Sequence, residues 1–266
     1  MKSVNTRDTS THAITAWNPF SRISLGKLFP LALLALLACH PGALMAELSF
    51  NGQNRFIMTG KRMAVTLVNE DKEAALAEVS LDWGDEGRTE DLPMAVSRPL
   101  LKIPPQWNAP LEILYQGEGL PSDRESYFLL NVLDVPQAPK VPHVLQIALR
   151  HRLKLFYRPP LKEAPDDAMA ALTWEMSSEK NGAIRIGNPS PYYLTLSDIE
   201  RIGQDGRRCG EPIEHMMLAP FSTQSLAMSA CRPERLRYQV VSDAGNMRPY
   251  AATLSPGRKQ HGISQL

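Results

Sequence analysis

The run Val144-Leu-Gln-Ile-Ala-Leu-Arg-His-Arg-Leu-Lys-Leu-Phe-Tyr-Arg-Pro159 constrains the fold more than any other stretch of the chain. Leu145, Ile147, Leu149, Leu153 and Leu155 stand at odd positions, and only His151 interrupts the row. Gln146, Arg150, Arg152 and Lys154 take most of the even positions. An apolar period of two over this length specifies a β-strand with one apolar and one cationic face. Counting Arg158, the run carries four cations and no acid. Pro159-Pro160 ends it, because a ladder N–H is no longer available there. A long strand closed by a double proline can form one edge of a domain and lead directly into the next.

The remaining patterning is also of strands. Arg55 to Gly60, Met63 to Val68 and Ala75 to Trp83 are short alternating runs, separated by polar and glycine turns such as Asn69-Glu-Asp-Lys72 and Gly84-Asp-Glu-Gly87. Leu92 to Pro110 is proline-rich and weakly patterned, and Leu111–Tyr115 and Ser126–Val135 follow. Beyond Pro160 the strand candidates are Leu172–Met176, Ala183–Gly187, Tyr192–Leu196, Met216–Pro220, Arg237–Val241 and Tyr250–Leu254. Strands at a spacing of roughly ten residues, with turn signals between them, predict immunoglobulin-like sandwiches. Twenty-two prolines in 266 residues argue against long helices. The expected organisation is all-β, with domains at 47–158 and 159–255 and a polar, mobile tail at 256–266.

Residues 1–46 read as a signal peptide. Arg22 and Lys27 precede the apolar run Leu28–Ala38, which is too short for a comfortable membrane span, and Ala46 offers a cleavage site. Leu36-Leu-Ala-Cys39 resembles a lipobox, which supports a rival reading: a lipid-anchored two-domain β-sandwich acting as a surface or adhesin-like protein. Cleavage after Ala46 leaves Cys209 and Cys231, either one disulfide or two free thiols. A bond between them would close a loop worth about 3 kcal/mol in the chain-entropy model.

Several function classes are disfavoured. A formal net charge of +1 gives no electrostatic case for nucleic acid. Gly-x-Ser-x-Gly, His-Glu-x-x-His, phosphate-binding glycine loops and Cys-x-x-Cys are all missing from the sequence, so no catalytic residue is assigned and an enzyme is not expected. His143, His151, His215 and His261 are not spaced as a local metal pair, and they read as surface or interface residues. No metal or cofactor is implied.

Three segments resemble a known family in order and spacing. Val144-Leu-Gln-Ile-Ala followed by Lys154-Leu-Phe-Tyr-Arg-Pro159 is similar to the last strand of the first domain in periplasmic pilus-assembly chaperones of the PapD type. Asp123-Arg-Glu-Ser-Tyr-Phe-Leu-Leu-Asn-Val-Leu-Asp-Val-Pro136 resembles the strand before it. Asn188-Pro-Ser-Pro-Tyr-Tyr-Leu-Thr-Leu196 resembles an early strand of the second domain. The resemblance implies two immunoglobulin-like sandwiches set at an angle, boomerang-like, with a cleft between them. It also implies donor-strand complementation, in which the chaperone lends an edge strand to a pilin whose own sandwich is one strand short. His143, Leu145, Ile147 and Leu149 would be the donated residues. Arg55 and Lys154 would anchor the subunit's terminal carboxylate, and Glu125, Arg158 and Asp243 would form a structural salt-bridge network between the domains. The partners implied are fimbrial subunits and an outer-membrane usher, in the periplasm. The short connection Pro136–Pro142 is similar to that of the group building rod-like or composite pili. An exposed apolar edge also gives the free chain a route to self-association.

Overall fold

The structure, a computed structural model, describes residues 48–85, 87–135, 147–178, 183–227 and 231–265. The signal segment 1–46 with Cys39, the connection 136–142, and His143 and Leu145 of the donor run lie outside the described residues.

Alternation along the first half gives nine strands. They are β1 (Leu48–Ser49), β2 (Arg55–Met58), β3 (Arg62–Asn69), β4 (Ala75–Trp83), β5 (Met94–Val96), β6 (Leu100–Ile103), β7 (Asn108–Tyr115), β8 (Ser126–Val135) and β9 (Leu149–Tyr157). One sheet has the order β1-β3-β7-β5 and the other β2-β9-β8-β4-β6. Ala75, Ala77, Val79 and Leu81 of β4 point inward, as do Ala109, Leu111, Ile113 and Tyr115 of β7, so the two sheets share one core. This is the period of two expressed as packing.

The second half opens with a short helix, α1 (Pro165–Ala170), and continues with β10 (Thr173–Met176), β11 (Ile184–Asn188), β12 (Leu194–Ile202), β13 (Ile213–Leu218) and β14 (Ser222–Leu226). β15 (Arg235–Val241), β16 (Met247–Thr253), β17 (Lys259–His261) and β18 (Ile263–Ser264) complete it. Sheets β14-β11-β10-β17 and β13-β12-β15-β16-β18 enclose a second core around Trp174, Tyr238, Ile186 and Leu196. The all-β, two-sandwich class expected from the sequence is the architecture found. Cys209 and Cys231 are bonded, with Cα atoms 5.4 Å apart, which decides between the two alternatives left open above.

Part of the tail expected to be mobile is paired with the second sandwich. Lys259–His261 pair with Thr173–Glu175, and Ile263 and Ser264 pair with Ala251 and Tyr250, so the tail adds an edge strand to each sheet of the second sandwich. Its polar composition concealed this, because an edge strand exposes most of its side chains. Two glycines make the path possible. Gly257 takes a positive φ of 66° at the turn, and Gly262 lies so close to Tyr238 that a Cβ there would overlap the phenol hydroxyl. Gly262→Val is therefore expected to destabilise the protein by about 1–3 kcal/mol, as overpacking does. Urea denaturation of wild type and variant measures the difference, and unchanged stability would mean that the tail is not docked.

Candidate functional site

β9 lies between β8, with which it pairs antiparallel from Leu149 to Tyr157, and the much shorter β2, with which it runs parallel. β2 covers only Lys154 to Tyr157: Arg55 faces Lys154, and Met58 faces Tyr157. Among the described residues no strand pairs with β9 on that side from Leu149 to Leu153. The phase of the open edge follows from one bond. The Arg158 N–H donates to the Met58 carbonyl at 2.8 Å, so even-numbered main-chain groups face β2. By alternation the N–H and C=O groups of Arg150 and Arg152 point out of the free edge.

The side chains of this strand divide by parity. Leu155 is fully buried in the first core, Leu153 packs against it, and His151 edges onto Phe50 with ring centroids 5.2 Å apart. Leu149 and Ile147 continue the same apolar row past the end of the core and are 44% and 63% exposed. On the other face Phe156 is buried at the junction of the sandwiches, where it packs against Tyr127 and Tyr193.

Two residues before Phe156, the outer face carries Lys154 beside Arg55. The Arg55 guanidinium lies over the Phe156 ring at 4.3 Å, and its Nε is buried without a hydrogen-bond partner. Among the described residues no carboxylate forms an ion pair with either cation. Lys154 Nζ is 2.8 Å from Nε2 of His215, on β13 of the second sandwich. Burial lowers the pKa of Lys154, and the charge of Arg55 lowers it further. Burial also lowers that of Arg55, against the opposing pull of Glu125 and Asp243. Burial and then Lys154 lower that of His215, which favours a neutral ring accepting a hydrogen bond from the ammonium. Adjacent, partly desolvated cations with open donors could receive an anion, and their forked and compact geometries suit a carboxylate. Among the described residues no three His, Cys, Asp or Glu side chains converge as metal ligands would.

The third predicted set meets at the junction. Arg158 Nε donates to Glu125 at 2.7 Å, and its two terminal nitrogens donate to Asp243 at 2.6 and 2.8 Å. The second Glu125 oxygen accepts the Tyr193 N–H at 2.7 Å, and the Glu125 N–H donates to the Pro191 carbonyl at 2.9 Å. Burial opposes the charge on Arg158, but the hydrogen bonds and charges of Asp243 and Glu125 outweigh it and push its pKa up. The local cause lies in Asn188-Pro-Ser-Pro. Asn188 Nδ2 donates to the carbonyls of Tyr192 and Ala219, and its Oδ1 accepts from both the N–H and the hydroxyl of Ser190. This fixes the turn that aims the Tyr193 N–H at Glu125.

Sequence reading missed the role of two residues. His215 comes to Lys154 from 61 positions away, and no local pattern marks it. Tyr193 stood inside a recognised motif, and the adjacent tyrosines were a usable signal. Tyr192 bonds the Glu163 carbonyl within the second sandwich, while Tyr193 reaches Asp85 of the first at 3.0 Å.

Comparison with known proteins gives a consistent assignment. Residues 52–162 match the PapD N-terminal domain family, described as pili and flagellar-assembly chaperone. Residues 167–252 match the C-terminal domain of the pili assembly chaperone PapD. The chain is 34% identical over 242 residues to the chaperone protein FimB/FhaD of Bordetella pertussis, covering 82% of this chain and 96% of that protein. The crystal structure of the YadV chaperone superposes with a TM-score of 0.65 at 31% identity, covering 79% of this chain and all of that one; YadV of Escherichia coli is described as a probable fimbrial chaperone. The crystal structure of the Pseudomonas aeruginosa CupB2 chaperone superposes with a TM-score of 0.62 at 29% identity, covering 76% and 98% of the two chains.

Removing Arg158 would leave Glu125 buried and uncompensated. Arg158→Ala is expected to cost about 3–5 kcal/mol, the usual range for breaking a buried pair. Chemical denaturation followed by tryptophan fluorescence measures this, and a loss below about 1 kcal/mol would show that the network does not join the sandwiches.

Proposed function

The chain belongs to the PapD-like family of pilus-assembly chaperones, periplasmic proteins without an enzymatic role, and from that premise we propose that the free edge of β9, with Arg55 and Lys154, is its subunit-binding surface. Family membership sets aside the alternative of an adhesin-like surface protein.

One observation carries the reading. Among the described residues, two neighbouring cations, one with an orphaned buried Nε, stand without a carboxylate partner at the foot of an open strand edge. A pilin lacking a strand supplies what both features need. Its terminal carboxylate would accept from Arg55 and Lys154, and its incomplete sheet would pair with the main chain of Arg150 and Arg152. Ile147 and Leu149, with Leu145 and His143 ahead of them, would fill its open core at alternate positions. Burying each aliphatic side chain contributes about 1.5–3 kcal/mol. The anchor sets the register, because sliding the subunit by one residue would both lose the carboxylate contact and turn the donated side chains away. Glu125, Arg158 and Asp243 take no part in contact and hold the second sandwich against the anchor. The loaded chaperone then passes its subunit to an outer-membrane usher, where the next subunit's strand replaces the donated one. The same edge, when empty, offers a second copy of the chain a pairing surface.

Co-purification from the periplasm with pilins encoded beside this chain tests the proposal. Wild type is expected to hold a pilin one to one, Arg55→Ala and Lys154→Ala to release it, and Leu149→Ala to weaken retention by about tenfold, in line with the lost apolar burial. Undiminished recovery with both cation variants would overturn the anchor.

A further inference from the structure

The proposed anchor has a third contributor that the cation pair does not explain. His215 projects from β13, on the far side of the junction from β9, and its Nε2 meets Lys154 Nζ at 2.8 Å. This is a side-chain contact between the two sandwiches at the anion receptor itself. The bond requires a lone pair on Nε2, because an ammonium can only donate. His215 is exposed, and its strand neighbour in register is Ser197 of β12, which carries no charge. Of the charged groups, Lys154 on β9 contacts it, Arg55 on β2 stands beside Lys154, and Glu214 precedes it in sequence on β13.

We propose that His215 is a third, proton-dependent ligand of the subunit's terminal carboxylate. The inference rests on the anchor reading above. In the empty site the neutral ring holds the Lys154 ammonium in place by accepting from it. When a carboxylate arrives, His215 takes one proton from solvent onto Nε2. The lone pair that held Lys154 becomes an N–H that donates to one carboxylate oxygen, while Lys154 turns its freed proton to the other. Besides hydrogen bonds, one N–H bond forms at Nε2 as hydronium or a buffer acid gives up its proton, and the net reaction is uptake of one carboxylate and one proton.

The sign follows from linkage. In the empty site burial and Lys154 depress the His215 pKa below its ordinary value near 6.5. A bound carboxylate favours the imidazolium and raises it. The loaded site thus binds more protons than the empty one between these two values, so affinity rises as pH falls through that window and levels off below it. An α-carboxyl with a pKa of about 3.5 stays ionised there.

The test uses the mature chaperone and a synthetic peptide of alternating valine and serine residues, ending in a free α-carboxylate or in the corresponding amide. Isothermal titration at pH 7.5 and 5.5, in buffers of different ionisation enthalpy, reads affinity and proton uptake together. Wild type is expected to bind the carboxylate peptide about tenfold more tightly at pH 5.5, with close to one proton taken up. His215→Gln keeps an acceptor for Lys154 but cannot titrate, so its affinity should not change with pH. The amide peptide should show no pH dependence with either protein. If wild type and His215→Gln share the same slope while the carboxylate is still preferred over the amide, the role of His215 is wrong and the anchor stands. If carboxylate and amide bind equally well, the anchor reading falls, and this inference with it.

Discussion

Everything in this molecule that concerns binding hangs on the fork of Arg158. It bridges an acid before β8 and an acid beyond β15, one from each sandwich, and it does so at the end of the strand that both sandwiches share as a boundary. From Arg158 the outer face of β9 reads backward at intervals of two. Phe156 packs the aromatic junction, Lys154 stands beside Arg55, and at Arg152 and Arg150 the edge is unpaired among the described residues. A single parity rule therefore sets lock, anchor and edge in register. Such a buried network contributes little net stability and is better understood as fixing geometry. Across the same junction His215 meets Lys154 at 2.8 Å.

The site is locally costly. Two cations side by side repel, burial makes each harder to charge, and Ile147 and Leu149 lie exposed on an unprotected edge. Soluble proteins normally blunt such edges with short strands, charges or covering loops. β9 carries charge on one face only, and its apolar row runs past its own core. Each of these costs would be relieved by the ligand proposed above, an incomplete sheet ending in a carboxylate.

Much of this was legible in the sequence because parity is a local property. The alternation of β4 and β8 fixed their limits, that of β9 its inward face and its C-terminal end but not its start, since residues 147 and 148 are not strand, and Pro159-Pro160 marked the boundary between sandwiches. The short strands β5 and β6 were not legible, since three or four residues among prolines carry too little pattern. β14, Ser-Thr-Gln-Ser-Leu, and the tail strands are edges whose exposed residues look like loop. α1 had a signal that was passed over: a proline at its start followed by two acids in its first turn. His215 could not have been found, because its contact with Lys154 depends on the packing of the two sandwiches against each other.

The most direct test of the account is residue-resolved amide hydrogen exchange on β9, in the free chaperone and in its one-to-one complex with a pilin. The Arg150 and Arg152 amides face the open edge, whereas those of His151 and Leu153 face β8. The account predicts that the first two exchange rapidly in the free protein and become strongly protected in the complex, with little change in the latter pair. Rapid exchange at Arg150 and Arg152 in a complex that remains intact would contradict strand donation by this edge.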